Sequence, residues 1–410
     1  MYNLNLSTMK KQLLFGAALA IGVSAFAQQG KIVTPLSKQT QPLNKHIALT
    51  GAEAKKSNGV SNAKNTTPKA SAVPTAVQIG ETQYDLQSNS AVGHRIINHA
   101  DGTISAIWTI CDGASPYTNR GVGYNYFDGT AWLLPDPAHN VQIHYDLIRT
   151  GFPDLGYLRN SQDFIIKHET SGYTLYADSN LVKGDTLVQA VAPLVKPKMT
   201  SWQTDAGVPL PPNNRGGIWP RCAIGGATGQ TIHVIANYSD TLTIKSGVKQ
   251  PMVYSRSTDG GVTFTTAGIT LPKYDSTTVL YGGGENYAMD ASGTTVAIVL
   301  GGIGDHVTLW KSTNDGVTFN RTLVDSFPYA PENNGTPVGL DSVPTNDGSV
   351  AVSIDAAGKA HVAYGYTRSG LDATGASVYR PGDIGLIYWN ENTQTEISIP
   401  INLTAVDEDM

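Results

Sequence analysis

The chain has 410 residues, 40% of them apolar, 15% charged and 8% aromatic, with 43 Gly, 22 Pro and two Cys, which excludes a wholly disordered polypeptide and leaves room for one large domain or two ordinary ones. No apolar run reaches the roughly 18 to 20 residues of a membrane-spanning helix, so a soluble protein without a membrane span is expected. Abundant Gly, Asn, Thr, Ser and Tyr beside little Glu, Lys or Leu favours turns and pleated strands, and the fold expected is all-β.

In chain order, the first element is a leader. Lys10 and Lys11 precede an apolar stretch from Leu13 to Val23, and Ala25-Phe26-Ala27 supplies a small-residue exit, the pattern of a secretory signal peptide spanning 1–27. Residues 28–77 are Lys, Ala, Ser, Asn, Thr and Pro with almost no aromatic content, a composition of a flexible basic linker. The formal net charge is −5; the leader carries +2 and the linker +6, which leaves −13 on residues 78–410. An acidic body repels phosphate backbones, so nucleic-acid binding is not expected. Cys111 and Cys222 lie 111 residues apart in a chain read as exported, where an oxidising compartment would permit a disulfide; two separate buried thiols fit equally well. Neither Cys sits at metal-ligand spacing, the nine His show no H-x-H or H-E-x-x-H pattern, and the Gly runs 225–229 and 282–284 lack a phosphate-binding Lys, so no metal or cofactor is expected.

Residues 78–410 carry an internal repeat. A turn ending in Gly102, Gly172, Gly229, Gly293 or Gly358 leads each time into an alternating strand, the glycines being 70, 57, 64 and 65 residues apart. A second recurring element is an octapeptide of pattern S-x-[DN]-x-G-x-x-F, clean at Ser257, Asp259, Gly261 and Phe264 and at Ser312, Asn314, Gly316 and Phe319, and degenerate over 125–132. Ser and Asp or Asn side chains bond nearby backbone, Gly supplies a positive φ, and the aromatic packs back on the sheet, so the octapeptide reads as a hairpin lock.

These octapeptides resemble the Asp-boxes of the sialidase-type β-propellers, over roughly residues 90–400. The resemblance implies a propeller of four-stranded blades, with Asp-boxes on blade hairpins away from the central pocket. Five repeats are legible; a sixth blade would have to come from Val77–Leu86, from Glu396–Leu403, or from sequence beyond Met410, in which case the chain is C-terminally truncated. The Lys-Lys leader, Gln-Gln mature start and Asn/Thr-rich body also resemble exported proteins of the Bacteroidetes lineage, secreted, periplasmic or at the cell surface.

Sialidases of this type hold a substrate carboxylate with three arginines and use a Tyr with a Glu partner as nucleophile and an Asp as acid/base. The resemblance implies the following positions. Arg95 precedes Gly102-Thr103-Ile104 at about the family's spacing but with Ile97 where the family has Pro; Asp112 follows the next strand; Arg221 and either Arg368 or Arg380 complete the clamp; Glu285 and Tyr287 form the nucleophile pair. Each also has an ordinary structural reading, as a strand-end charge, a turn residue or a packed ring. The leading reading is therefore a monomeric, exported, non-catalytic propeller binding a glycan or a protein at its central face through Trp108, Tyr117, Arg120, Trp219, Arg221 and Tyr287, whose rings stack on sugars and whose polar tips hydrogen-bond. The alternatives are an exo-α-sialidase-type hydrolase acting on terminal sialic acids and a purely structural surface module.

Overall fold

The computed structural model describes residues 76–132, 149–158, 162–177, 217–238, 248–330, 339, 343–379 and 384–399, except 89, 112, 114, 170–171, 249, 262–263, 265, 280–281, 283 and 375–376. It also describes the two-residue strands β1 (Lys31–Ile32), β2 (Ile47–Ala48) and β6 (Ile143–His144). All regular structure among the described residues is strand.

Five sheets follow one another along the chain, antiparallel except for two short parallel pairings in the fifth. The first is β3 (Ile96–Asn98), β4 (Ile104–Ile110), β5 (Gly121–Phe127) and β6; the second, of three strands, is β7 (Thr150–Leu158), β8 (Gln162–Glu169) and β9 (Gly172–Ala177). The third is β10 (Gly217–Gly225), β11 (Thr231–Tyr238), β12 (Met252–Ser257) and β13 (Thr266–Ile269), and the fourth β14 (Tyr287–Ser292), β15 (Thr295–Leu300), β16 (Val307–Ser312) and β17 (Asn320–Asp325). The fifth runs β18 (Val343–Ile354), β19 (Ala360–Leu371), β21 (Gly385–Asn390) and β22 (Ile397–Ile399), with β20 (Ser377–Tyr379) also on β19 and β1 and β2 pairing in parallel with β20 and β22.

Period-two alternation explains how the sheets stack, because each face of a strand meets a different neighbour. Along β15, Val296, Ile298 and Leu300 join Tyr254, Met252 and Ile235 of the third sheet, whereas Ala297 and Val299 join Val350, Val362 and Trp389 of the fifth. The second and third sheets meet through Leu158, Phe164 and Ile166 against Cys222, Ile232 and Val234, and the first and second through Ile107, Val122 and Tyr124 against Leu155. The first strands of successive sheets touch in turn, β3 with β7, β7 with β10, β10 with β14 and β14 with β18.

Four of the five repeat glycines, Gly102, Gly229, Gly293 and Gly358, turn between a sheet's first and second strands with φ between 56° and 84°. Gly172 is out of phase: it opens β9, the third strand of its sheet, so the expected repeat register slips by one strand there. Among the described residues, neither 77–86 nor 396–399 builds a sheet of its own, and the rest of the second stretch, 400–403, lies outside them. Residues 77–86 lie along the first sheet, where Gln83 N donates to Cys111 O at 2.7 Å and Asn125 Nδ2 to Ile79 O at 2.8 Å, and β22 completes the fifth sheet.

Both octapeptides form the expected hairpin lock, between β12 and β13 and between β16 and β17. Ser257 Oγ donates to Asp259 Oδ1 at 2.7 Å and accepts from Gly261 N at 2.8 Å; Ser312 Oγ donates to Asn314 Oδ1 at 2.8 Å and accepts from Gly316 N at 2.9 Å. The second lock also joins sheets. Phe319 packs edge-on to Tyr254 of the third sheet at 5.0 Å, Thr231 Oγ1 donates to Asp315 Oδ2 at 3.0 Å, and Arg256 Nη1 to Asp315 O at 2.6 Å. Cys111 and Cys222 are free thiols in separate core clusters.

Candidate functional site

The first strands of the second and third sheets carry the same local irregularity. In β7 the run Gly151-Phe152-Pro153-Asp154, and in β10 the run Ile218-Trp219-Pro220-Arg221, place an aromatic at φ 50° before a Pro and a charged residue, and both ladders shift register across the run. Proline removes a ladder donor, and the bulge rotates the strand, so ring and charge leave it in different directions. Phe152 and Trp219 join one cluster of side chains, Asp154 and Arg221 another.

The ionic cluster is assembled by the extended segment ahead of β3. Ala91 N donates to Glu285 O at 3.0 Å, Leu155 N to His94 O at 2.9 Å and Ile107 N to Arg95 O at 2.9 Å, so this segment touches the first and second sheets and the bend just ahead of the fourth. Arg221, 2% exposed, donates from Nη2 to Glu285 Oε1 at 2.7 Å and to Ala91 O at 2.9 Å, and from Nη1 to Pro220 O at 3.0 Å. Asp154 is fully buried; its Oδ2 accepts from Cys222 N at 2.7 Å, its Oδ1 from His94 N, and His94 Nδ1 stands 3.4 Å from Oδ2. A Cβ on Gly93 would come within 2.4 Å of Asp154 Oδ1, so glycine is what lets the segment lie against that carboxylate.

Charge sets the protonation states. The Asp154 carboxylate raises His94 to about 9, with burial and Arg221 opposing. Burial favours a neutral Asp154, yet His94 and Arg221 together hold it below the ordinary carboxylate value. Burial, then the like charge of Arg221, lowers Arg95 to about 10. Burial pushes the Tyr287 hydroxyl well above its ordinary value, and it donates to Trp219 O at 2.6 Å. Arg95 Nη2 donates to Gln87 O at 2.6 Å, while Arg95 Nε and Nη1 and Arg221 Nε are buried without an acceptor.

The aromatic cluster adjoins it. Arg120 donates to Thr150 O at 2.8 Å and Tyr84 Oη at 3.0 Å and lies 5.0 Å from the ring centres of both Tyr84 and Phe152. Tyr117 meets Tyr84 edge-on at 5.1 Å, His168 stacks on Phe152 at 5.1 Å, and Trp219 meets Phe152 edge-on at 6.3 Å. Burial, then Arg120, pulls His168 down to about 3, so it is a neutral ring between Arg120 Nη2 and Trp219 N, each at 3.2 Å. Tyr117 and Trp219 are half-buried at the edge of this cluster, and Arg149 reaches over it to donate to Tyr117 O at 3.0 Å.

Of the residues expected from the sequence, Arg95, Arg221, Glu285 and Tyr287 are brought together, and Tyr117, Arg120 and Trp219 form the neighbouring group. Trp108 lies apart from both, over Gly80 and Gly123, with Nε1 donating to Glu81 O at 3.2 Å. Arg368 sits on β19 opposite Pro344, and Asp112 and Arg380 lie outside the described residues. Sequence reasoning missed His94, Asp154, Phe152, His168 and Tyr84. The shared aromatic-Pro-charged run of β7 and β10 was a readable signal for two of them. Among the described residues no three His, Cys, Asp or Glu side chains gather to hold a metal ion, and no helix is long and apolar enough to cross a membrane.

No family model matches the chain, and no curated protein matches it. Among solved structures it is similar to the polysaccharide lyase Uly1, at 12% identity over 69% of this chain and 56% of that one, TM-score 0.34. It is also similar to a family 117 glycoside hydrolase of the marine bacterium Zobellia galactanivorans, at 12% identity over 70% of this chain and 81% of that one, TM-score 0.36. A third is the NanB sialidase of Streptococcus pneumoniae, at 10% identity over 67% of this chain and 36% of that one, TM-score 0.34. The chain thus spans about half the length of the lyase and about a third of the sialidase.

Proposed function

We propose that the five sheets are the blades of a five-bladed β-propeller and that the chain is an exported, non-catalytic module binding a glycan where the inner strands begin. The leader over 1–27 and basic linker over 28–77 belong to the same proposal. Support for the propeller comes from the order of the sheets, the contact of each first strand with the next, and the segment ahead of β3. That segment reaches back to the last two sheets: Ala91 packs with Val299 of β15 and Val350 of β18.

The observation that carries the binding reading is that Tyr117 and Trp219 are both half-buried and packed on Tyr84 and Phe152, which Arg120 and His168 in turn contact. Rings fixed in advance stack on a sugar face at little entropic cost. Hydrolysis of the sialidase type is the second reading, favoured by the convergence of Arg95, Arg221, Glu285 and Tyr287. Against it, the Tyr287 hydroxyl is buried and committed to Trp219 O, and Glu285 is committed to Arg221.

A glycan array probed with the purified protein and its Trp219→Ala variant tests the proposal. Binding that Trp219→Ala weakens is expected. No signal on any sugar refutes it and leaves a protein partner or a structural surface role. Turnover of a fluorogenic sialoside, lost in Tyr287→Phe, would establish the hydrolase instead.

A further inference from the structure

Away from the ionic and aromatic clusters, we infer that Tyr388 is a nucleophile that takes acyl groups from esters, with His361 as its general base and Asp355 orienting that base. All three belong to the fifth sheet, at its end opposite to where β18 begins: Asp355 follows β18, His361 lies at the start of β19 and Tyr388 on β21. Tyr388 Oη and His361 Nδ1 are 2.5 Å apart, and His361 Nε2 is 3.2 Å from Asp355 Oδ2. The turn fixes the carboxylate, whose Oδ1 accepts from Lys359 N at 2.8 Å and Ala357 N at 2.9 Å. The Lys359 amide first, then His361, hold Asp355 below the ordinary carboxylate value. An ionised Asp355 keeps the imidazole proton on Nε2, which leaves the Nδ1 lone pair to accept from the Tyr388 hydroxyl. Hydroxyl, base and orienting carboxylate thus stand in the order in which acyl transfer uses them.

The third sheet supplies the comparison. His233 of β11 lies opposite Arg256, two residues beyond Tyr254 on β12, as His361 lies opposite Asn390, two beyond Tyr388. The rings stack in each pair, at 6.1 Å and 5.9 Å. His233 Nδ1 is 2.8 Å from Tyr254 Oη, and the carboxylate is Asp315 of the fourth sheet's lock, 3.3 Å from Nε2. There the following sheet seals the group: His233 and Tyr254 have no exposure, and a Cβ on Gly316 would collide with Tyr254 Oη, so no reagent reaches that hydroxyl. In the fifth sheet the carboxylate comes from the sheet's own turn, His361 is 29% and Asp355 33% exposed, and Tyr388 is half-buried. The constellation that is structural under a neighbour's cover is open to solvent here. In the reaction Tyr388 Oη bonds to the acyl carbon, the ester's bond to its alcohol oxygen breaks, and the phenolic proton passes to His361 Nδ1 and on to the departing oxygen.

Treatment of the full chain with p-nitrophenyl acetate, followed by peptide mass mapping of the acetyl group, tests this. Tyr388 should be acetylated, with a burst of p-nitrophenolate, at least about tenfold faster than Tyr366, a half-buried tyrosine of β19, while Tyr254 stays unmodified. His361→Gln, melting as the wild type does, should slow the Tyr388 reaction about a hundredfold, and Tyr388→Phe should abolish the burst. Acetylation of Tyr388 no faster than that of Tyr366, or at an unchanged rate in His361→Gln, shows a merely exposed hydroxyl and overturns the inference. A wild-type chain unlabelled at Tyr388 overturns it as well. The ratio of Tyr388 to Tyr366 is read in the wild type, so it decides the matter even where His361→Gln does not fold.

Discussion

The Arg221–Glu285 pair should dominate the stability of the central cluster. Arg221 is 2% exposed and Glu285 not at all, and one guanidinium makes three hydrogen bonds, at 2.7 Å to Glu285 Oε1, 2.9 Å to Ala91 O and 3.0 Å to Pro220 O. Burial works against the Arg221 charge, and Glu285 and Asp154 together outweigh it. Arg221→Ala removes the counter-charge from a carboxylate with no access to water, and breaking such a buried pair costs about 3–5 kcal/mol. Arg221→Met with Glu285→Gln removes both charges and keeps the volume, so about half of that loss or more should return. Urea titration followed by tryptophan fluorescence reads both, with the slope compared to exclude a change in the denatured state. A loss under about 1 kcal/mol in Arg221→Ala, or a double variant as unstable as the sum of the single changes, refutes the buried-pair reasoning.

Two glycines separate conformational strain from packing. Gly102 has φ 84° with nothing within 4 Å of an added Cβ, so Gly102→Ala should cost about 1–2 kcal/mol. At Gly316 φ is 76° and an added Cβ would stand 1.9 Å from Tyr254 Oη, so Gly316→Ala should cost at least about twice as much, and equal melting of the two variants would remove the packing argument. Both thiols should resist iodoacetamide in the native protein, since Cys111 is buried with Sγ 2.8 Å from Asn119 Oδ1 and burial, then Asp154, raises Cys222 well above the ordinary thiol. Denaturation without reductant should expose both to alkylation, and a mass showing no adduct would mean a disulfide instead.

The repeats were legible where local chemistry alone decides structure. A Gly turn before an alternating strand and a Ser-x-Asx-x-Gly hairpin each satisfy themselves within a few residues, so Gly229, Gly293, Ser257 and Ser312 could be placed from sequence. Gly172 misled for the same reason. A glycine before an alternating strand looks alike at any turn of a sheet, and only pairing shows that β9 is a third strand. The central cluster depends on contacts between distant segments. Arg95, Arg221 and Glu285 were found through a family resemblance, while Asp154, whose strand gave no acid-base pattern, was not.

The missed residues share a cause that reaches beyond this site. In a regular strand residues two apart share a face, and period-two reading assigns Phe152 with Asp154, and Trp219 with Arg221, to one layer. At Phe152-Pro153-Asp154 and Trp219-Pro220-Arg221 the added residue of a bulge breaks that rule, sending the rings to Tyr84 and His168 and the charges to His94, Arg95 and Glu285. The strained φ of 50° at both rings is compensated by what the bulge allows: Asp154 reaches the backbone of two other segments, and Arg221 reaches three acceptors. Replacing either proline alone would restore a ladder donor without removing the extra residue. The aromatic-Pro-charged triplet is thus the unit that lets one strand feed both the aromatic and the ionic cluster.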